Sequence, residues 1–148
     1  MSSPKSMNDE PCPVARSVDV IGDRWSLLIV RNVFDGMRRF GDFQRNLGMA
    51  RNILSDRLKK LVNAEILEMR AASDGTAYQE YVLTPKGESL FPVVVALRQW
   101  GEQHLFEDGE PHSVLLDKRT GKPIPLMVPT AHDGVVLAAA ATEVQKVK

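Results

Sequence analysis

A β-hairpin signal stands between helical segments near the middle of this 148-residue chain. The pair Asp74-Gly75 favours a tight turn, and apolar residues alternate with polar ones on both sides of it. Four segments with apolar residues at helical spacing precede the hairpin, and one follows it. This order predicts a mainly α protein of the α+β class.

Signals for helix ends separate the first four segments. Pro13 suits a first helical position, and Gly22 ends the first segment. Asp23 can cap the second segment, and Gly48 ends the third. Helices and hairpin in this order predict a winged helix-turn-helix, in which the third and fourth helices form the turn motif and the two-stranded hairpin is the wing.

The remaining segments set the expected domain boundaries. Thr84 and Pro85 begin a long last helix, which Pro92 should either kink or deprive of one hydrogen bond. We expect residues 1–11 to form a disordered arm and residues 12–106 to form the main domain. Residues 107–148 form a C-terminal extension, with two short strands around a Gly/Pro turn in a small β-hairpin and a loose tail.

Charge is unevenly distributed, although the formal net charge is zero. Residues 38–70 contain eight Lys or Arg and four Asp or Glu, whereas residues 105–148 have five basic and six acidic residues. A local basic face is one interpretation, and a solvated surface of mixed charge is another. The chain lacks an apolar run long enough for a membrane span, its first residues lack a secretory signal, and it has a single cysteine. We therefore expect a cytoplasmic protein without membrane partners.

Three stretches of sequence carry a resemblance to a known family. They read CPVARSVDVIGDRWSLLIVRNVFDGMRRFGDFQRNL, ILSDRLKKLVNAEIL and QEYVLTPKGESLFPVVVALRQWGE. In this order, between residues 12 and 104, they resemble the HxlR-type transcriptional regulators, bacterial winged-helix relatives of the MarR group. The resemblance implies a homodimer that binds operator DNA. Some family members sense quinones, aldehydes or oxidants through an N-terminal cysteine.

The chain departs from the family pattern at three places. Ala50 stands where the family usually has Ser or Thr before the fourth helix, so the cap should be missing or supplied by another group. Glu65 stands where a glycine usually follows that helix, so we expect the turn to be made differently. The wing loop reads SDGTA instead of a proline-rich sequence, so the family's wing contacts do not transfer in detail.

The fourth helix presents polar residues opposite its leucines. In a helix-turn-helix the first turns of this helix lie nearest the bases, which makes Arg51, Asn52 and Ser55 the candidate base contacts. A solvated helix surface is the alternative interpretation. The candidate phosphate contacts are Arg38, Arg39, Arg57, Lys59 and Arg70. An alternative for Arg57 is an ion pair with an acid of the domain, such as Asp42.

Other side chains are candidates for the wing contact and the dimer contact. In the wing, Arg70 is a better candidate than Ser73, Asp74 or Thr76, because Asp74 is a poor neighbour for phosphate. The last helix has a broader apolar face than one small domain needs. The predicted dimer interface consists of Val14, Val18, Val94, Leu97 and Trp100.

Cys12 is a candidate sensor thiol. It precedes Pro13 at a helix N-terminus, where the helix dipole favours a thiolate, and Arg16 follows one turn later. A thiolate reacts with electrophiles and oxidants. The alternative is a small apolar residue that closes one end of the domain.

The sequence lacks signs of catalysis or metal binding. His104, His112 and His132 do not have the spacing of metal ligands, and the usual catalytic motifs do not occur. We predict no enzyme, no metal and no cofactor. The predicted function is a homodimeric repressor that binds a pseudo-palindromic operator and is released by an electrophile, oxidant or small effector. The alternative is a winged-helix protein-interaction module that does not bind DNA.

Overall fold

Residues 6–147 are described by the structure, a computed structural model. Its helices and strands, in chain order, are α1 (Pro13–Ile21), α2 (Ser26–Phe34), α3 (Phe40–Leu47), α4 (Arg51–Asn63), β1 (Leu67–Ala71), β2 (Gln79–Leu83), α5 (Pro85–Glu88) and α6 (Phe91–His104). This order confirms the predicted winged helix-turn-helix. Residues 1–5 of the predicted disordered arm lie outside the described residues, and residues 6–11 form neither helix nor strand.

The core of the helix-turn-helix is built from the apolar faces of α2, α3, α4 and the start of β1. The side chains in it that are almost fully buried are Ile29, Val30, Phe43, Leu54, Leu58, Leu61 and Leu67. Three leucines of α4 fall on one face because their spacing follows the helical period. Truncating one such leucine to alanine typically costs about 2–5 kcal/mol. This buried face leaves the opposite face of α4 open to solvent.

Most predicted helix ends are confirmed. Gly22 follows α1, and Gly48 takes a left-handed conformation with φ of 64° after α3. The Asp23 carboxylate accepts hydrogen bonds from the backbone N–H groups of Trp25 and Ser26, each at 3.0 Å. These bonds satisfy N–H groups that the first turn of α2 leaves without partners.

Two of the chain's departures from the family pattern, Ala50 and Glu65, lie at the two ends of α4. Ala50 occupies the N-cap position and offers no side-chain hydrogen bond, as predicted. The prediction for the other end was wrong, because Glu65 itself takes the left-handed conformation, with φ of 62°. The N–H of Glu65 bonds to the Val62 carbonyl, and that of Ile66 bonds to the Leu61 carbonyl. The turn after α4 is therefore a Schellman motif made with a glutamate in the glycine position.

The wing is a two-stranded antiparallel sheet, as predicted. Its register pairs Leu67 with Leu83 at one end and Ala71 with Gln79 at the other. Gly75 has a φ of 77° in the connecting turn. Glycine adopts this conformation without steric strain, which explains why the turn forms at Asp74-Gly75.

The prediction of one long last helix was wrong. The chain forms a short α5 and a separate α6, and Pro92 lies in the first turn of α6 instead of kinking a continuous helix. Thr84 caps α5 as predicted, with its hydroxyl oxygen accepting from the Gly87 N–H at 3.0 Å. Helix α5 also lies close to the preceding turn, since a Cβ atom on Gly87 would be 2.1 Å from the Ile66 carbonyl oxygen.

The chain divides into two compact units, one ending at Phe91 and one beginning at Pro92. The second unit contains α6 and the extension, and the predicted boundary after residue 106 stays a prediction. The predicted C-terminal hairpin is not confirmed, because the described extension contains two isolated antiparallel bridges in place of strands, Leu116–Pro123 and Thr130–Val136. A short 3₁₀ turn lies at Ala139–Ala141.

Side chains of α6 hold the extension within the second unit. The Arg98 guanidinium donates to the Ser113 carbonyl at 3.1 Å. The Gln99 amide donates to the Pro125 carbonyl at 3.0 Å and accepts from the Met127 N–H at 2.8 Å. The sequence predicts two short strands around a Gly/Pro turn here, but these side-chain bonds supply partners for the backbone at Ser113, Pro125 and Met127 instead.

Candidate nucleic-acid interface

The first turns of α4 present the three predicted base contacts to solvent. Arg51, Asn52 and Ser55 are exposed, while Leu54 and Leu58 on the opposite face are buried. The first turn of α4 contains no acidic residue. Its N–H groups and partial positive charge therefore lie beside side chains that can donate hydrogen bonds to base edges.

A groove of about 510 Å³ lies beside the start of α4. Its lining includes Arg39, Arg45 and Arg51, together with Tyr78 and Gln79 of the wing. The guanidinium carbon of Arg51 lies 5.1 Å from the centre of the Phe40 ring, which holds the side chain by a cation–π contact. The sequence analysis named neither Arg45 nor Tyr78 as a candidate DNA contact, although Arg45 lies within the basic region 38–70.

Arg39 is held at the edge of this groove by the wing. Its Nη2 atom lies 2.5 Å from Asp74 Oδ2, and its guanidinium carbon lies 4.8 Å from the centre of the Tyr78 ring. Asp74 Oδ1 accepts the backbone N–H of Thr76 at 3.0 Å. Hydrogen bonds from Thr76 and then from Arg39 lower the pKa of Asp74 to about 2, so its carboxylate is ionised at neutral pH.

Arg38 is bound by a second wing acid, Glu80. The Arg38 Nη1 atom lies 3.5 Å from Glu80 Oε2, and Glu80 is only 6% exposed. Glu80 Oε1 accepts from the backbone N–H and the hydroxyl of Ser73, both at 3.2 Å, and these bonds lower the pKa of Glu80. We call Arg38, Arg39, Asp74 and Glu80 the wing cluster. Of the wing candidates, Ser73 and Thr76 thus bind within the wing itself.

Arg57 belongs to a different ion pair from the one suggested by the sequence. Its Nε atom donates to Asp23 Oδ2 at 3.1 Å, and its Nη1 atom donates to Asp56 at 2.8 Å. Asp42 pairs instead with Arg45, at 2.7 Å. Arg57 thus links α4 to the acid that caps α2. Burial raises the pKa of Asp23, but hydrogen bonds from Ser26 and Trp25 and the charge of Arg57 outweigh burial and leave that pKa lowered.

The two other predicted phosphate contacts lie on the surface. Lys59 is exposed on α4. Arg70 is exposed on β1, where its Nε atom donates to Glu68 Oε1 at 2.5 Å. An exposed pair of this kind exchanges readily with solvent and is worth little to stability, so Arg70 remains open to a new anionic partner.

The predicted dimer residues are largely open to solvent. Val14 and Val18 of α1 are 70% and 59% exposed, and no residue of α1 is buried. On α6, Leu97 is 52% and Trp100 is 57% exposed, while Val94 is half-buried. Large apolar side chains exposed together on a helix are typical of interaction surfaces.

Cys12 is an exposed free thiol at the N-cap of α1. Its Sγ atom accepts the Ala15 N–H at 3.5 Å. The nearby Arg16 does not pair with the sulfur, because its Nε atom donates to the Glu10 carbonyl at 2.6 Å. The thiol is thus accessible and lies at a helix N-terminus, as the sequence predicts.

Between residues 6 and 147, histidine, cysteine and acidic side chains form no group of three that could hold a metal ion. Over the same range, no helix has both the length and the apolar character needed to cross a membrane.

Known proteins resemble this chain in sequence. The model of the HxlR-like helix-turn-helix family matches residues 20–108. Rv3095 of Mycobacterium tuberculosis, named as an uncharacterized HTH-type transcriptional regulator, is 44% identical over 92 residues, which cover 62% of this chain and 58% of the relative. The match thus spans little more than half of that relative. YodB, an HTH-type transcriptional regulator of Bacillus subtilis, is 31% identical over 99 residues, covering 66% of this chain and 88% of YodB.

Solved structures share the fold. PA1607, a proposed transcription factor, is 48% identical with a TM-score of 0.91, covering 97% of this chain and 100% of that one. The redox regulator HypR in its reduced form is 29% identical with a TM-score of 0.58, covering 64% of this chain and 94% of that one. The family model covers more than half of the residues, and the helix-turn-helix, wing and last helix occur in the expected order. The chain belongs to the HxlR-like helix-turn-helix family.

Proposed function

We propose that this protein is a homodimeric transcriptional regulator that binds duplex DNA in the cytoplasm and acts as a repressor. The observation that carries the proposal is the exposed start of α4, where Arg51, Asn52 and Ser55 face solvent and Arg51 lines a groove together with Arg39 and Arg45. Membership of a family whose relatives are named transcriptional regulators supports it. The same membership argues against an enzyme.

Base recognition rests on the hydrogen-bonding groups of α4. In the major groove, Arg51 donates two bonds to guanine, and Asn52 exchanges two bonds with adenine. Each such pair contributes about 1–3 kcal/mol of discrimination against a wrong base. Lys59, Arg38, Arg39 and Arg70 contact phosphates, which fixes the position of α4 on the duplex. Arg57 is not in this set, because it joins α4 to Asp23, the carboxylate that also accepts the N–H groups at the start of α2.

Two copies of α4 are needed to read a pseudo-palindromic operator. A twofold dimer presents them to successive major grooves about 34 Å apart. The exposed apolar faces of α1 and α6, each with large side chains open to solvent, support this part of the proposal. Burying both faces between two copies would remove apolar surface from water, which is the main favourable term in association.

Release from DNA through Cys12 is the sensing part of the proposal. The exposed thiol at the N-cap of α1 and the similarity to the redox regulator HypR support it. Cys12→Ser should bind DNA normally but should no longer be released by a quinone or an oxidant. Normal release of the variant would remove Cys12 from the mechanism, and a non-covalent effector would take its place.

Selection of bound DNA from a random pool tests the proposal directly. We expect a pseudo-palindromic site with half-sites one helical turn apart. Arg51→Ala and Asn52→Ala should each weaken binding to that site and relax the preference at one base position, by about 1–3 kcal/mol. Asn63→Ala, at the exposed C-terminal end of the same helix, is the matched control and should bind normally. Unchanged base preference in both test variants would show that α4 does not read the bases.

A protein-interaction module without DNA binding is the second candidate. The formal net charge of zero and the pairing of Arg38 and Arg39 with wing acids favour it. A gel shift with the selected duplex at low and moderate salt separates the two candidates. DNA binding should weaken steeply with salt because phosphate neutralisation releases counterions, whereas an interaction module should give no shift.

A further inference from the structure

The wing cluster binds two predicted phosphate contacts to carboxylates of the same chain. Arg39 Nη2 lies 2.5 Å from Asp74 Oδ2 and 4.0 Å from Glu80 Oε1, and Arg38 Nη1 lies 3.5 Å from Glu80 Oε2. Two arginines and two acids give the cluster a formal charge of zero. Both guanidinium groups are therefore already paired before any DNA arrives.

The two acids of the wing cluster differ in their surroundings. Glu80 is buried and accepts two hydrogen bonds from Ser73, so it is part of the wing's internal structure. The Asp74 side chain is 51% exposed, at the tip of the turn. An exposed carboxylate can release its partner without leaving a buried charge behind, so the Asp74–Arg39 pair exchanges at lower cost than a pair with Glu80.

Arg39 has a second support that does not depend on Asp74. Its guanidinium lies 4.8 Å from the centre of the Tyr78 ring. This stacking keeps the side chain at the groove that Arg51 also lines. A phosphate offers a guanidinium the same charged oxygen acceptors as a carboxylate does. A phosphate that enters the groove beside Arg51 therefore meets an arginine that is correctly placed but occupied.

We propose that Asp74 competes with DNA phosphate for Arg39 and thereby lowers the affinity of the wing for duplex DNA. This inference rests on the proposed function. On binding, the Arg39 guanidinium exchanges the Asp74 carboxylate for a phosphate of the duplex backbone. Asp74 then stands near the phosphates as an unpaired like charge. Removing that charge favours the bound state, both because Arg39 starts free and because the repulsion disappears.

The test compares Asp74→Asn with the full-length wild-type protein. Asparagine keeps the side-chain oxygen that accepts the Thr76 N–H, so the turn is preserved while the charge is removed. Affinity is measured by fluorescence anisotropy on the selected duplex and on a random-sequence duplex of about 30 base pairs. The matched control is Glu143→Gln, which makes the same change of net charge at an exposed position of the extension.

Asp74→Asn should bind both duplexes about threefold to tenfold more tightly at about 0.1 M salt, and this advantage should shrink as salt screens the pair. Glu143→Gln should bind like the wild type. Arg39→Gln should weaken binding, and Asp74→Asn should give a smaller gain in the Arg39→Gln background than in the wild type, because only the repulsion between Asp74 and phosphate is then removed. Equal or weaker binding by Asp74→Asn, while the wild type binds well, would overturn the role of Asp74 alone. Failure of both proteins to bind either duplex would overturn the proposed function as well.

Discussion

Glu65 takes a backbone conformation that residues with a Cβ atom rarely adopt. It holds a left-handed conformation, with φ of 62°, in the motif that ends α4. For a residue with a Cβ atom this conformation costs about 1–2 kcal/mol, and glycine avoids that strain. Glu65→Gly should therefore raise the free energy of unfolding by about 0.5–1 kcal/mol, after allowing for the greater freedom of glycine in the unfolded chain. Urea denaturation measures the change. Glu65→Ala keeps the Cβ atom and should give no gain, and equal stability of the two variants would contradict the explanation.

Ala50 gives a second prediction at the level of one residue. It has the extended backbone of an N-cap, with φ of −62° and ψ of 141°, but no side-chain oxygen. Ala50→Thr should supply the missing acceptor for an N–H of the first turn and raise stability by about 1 kcal/mol. Val at the same position has the shape of Thr without the hydroxyl. A thermal shift of the same size in Ala50→Val would mean that the gain does not come from capping.

Helix and strand elements were predictable where their signals are local. Gly48 and Gly75 mark turns by their own backbone preferences, since both have a positive φ, and these turns occur as expected. The break between α5 and α6 was expected only as a kink, although Pro92 cannot continue a helix and suits the first turn of a new one. Thr84 Oγ1 donates to the Glu65 carbonyl at 2.5 Å, so α5 is fixed to the turn after α4 by a residue far away in the sequence. Apolar periodicity runs through such a break without any sign of it.

Contacts between elements also explain why the partners of Arg57 and Arg39 were not predicted correctly. Asp23, rather than Asp42, binds Arg57, and Asp74 binds Arg39. Spacing places a charged side chain on one face of an element, but it does not tell which acid on another element lies opposite. The exposed positions of Arg51, Asn52 and Ser55 followed from the helical period alone, since their neighbours Leu54 and Leu58 had to be buried.

Packing of α5 against the turn after α4 predicts a strong effect of a small substitution. A Cβ atom on Gly87 would lie 2.1 Å from the Ile66 carbonyl oxygen, and a backbone atom cannot move aside cheaply. Gly87→Ala should lower the free energy of unfolding by about 1–3 kcal/mol. Gly101→Ala is the control, because the nearest atom to its new Cβ would be 3.9 Å away. That variant should be neutral or slightly stabilising, as measured by thermal unfolding of both.

The wing should depend on pH through Asp74. Its pKa falls from the usual 3.8 to about 2 in the folded chain, so the folded state favours the ionised form. The resulting stabilisation is complete above about pH 4 and disappears as the pH falls toward 2. Asp74→Asn should thus be less stable than the wild type near pH 7, and the difference should narrow below about pH 4. A constant difference from neutral to acid pH would mean that ionisation of Asp74 does not stabilise the wing.

At the scale of the whole molecule, the proposed dimer depends on the open apolar faces of α1 and α6. Trp100→Glu should convert the dimer to a monomer in sedimentation velocity, because the charge would be buried without a partner. Val18→Glu should act in the same way. Gln103→Glu adds a charge at an exposed polar position of α6 and should remain dimeric. The test variants should also lose tight operator binding, since one copy of α4 reads only half of the site. If Trp100→Glu still sedimented as a dimer, the interface would lie elsewhere.

Helix α6 has two sets of side chains, one bound to the extension and one exposed to solvent. Arg98 and Gln99 bind the extension at Ser113, Pro125 and Met127, whereas Leu97 and Trp100 are exposed. Trimming the protein after residue 106 removes the hydrogen-bonding partners of Arg98 and Gln99. These two side chains then become exposed to solvent in addition to Leu97 and Trp100. A shortened protein of this kind should be prone to self-association, so its stoichiometry in solution would not represent that of the intact protein.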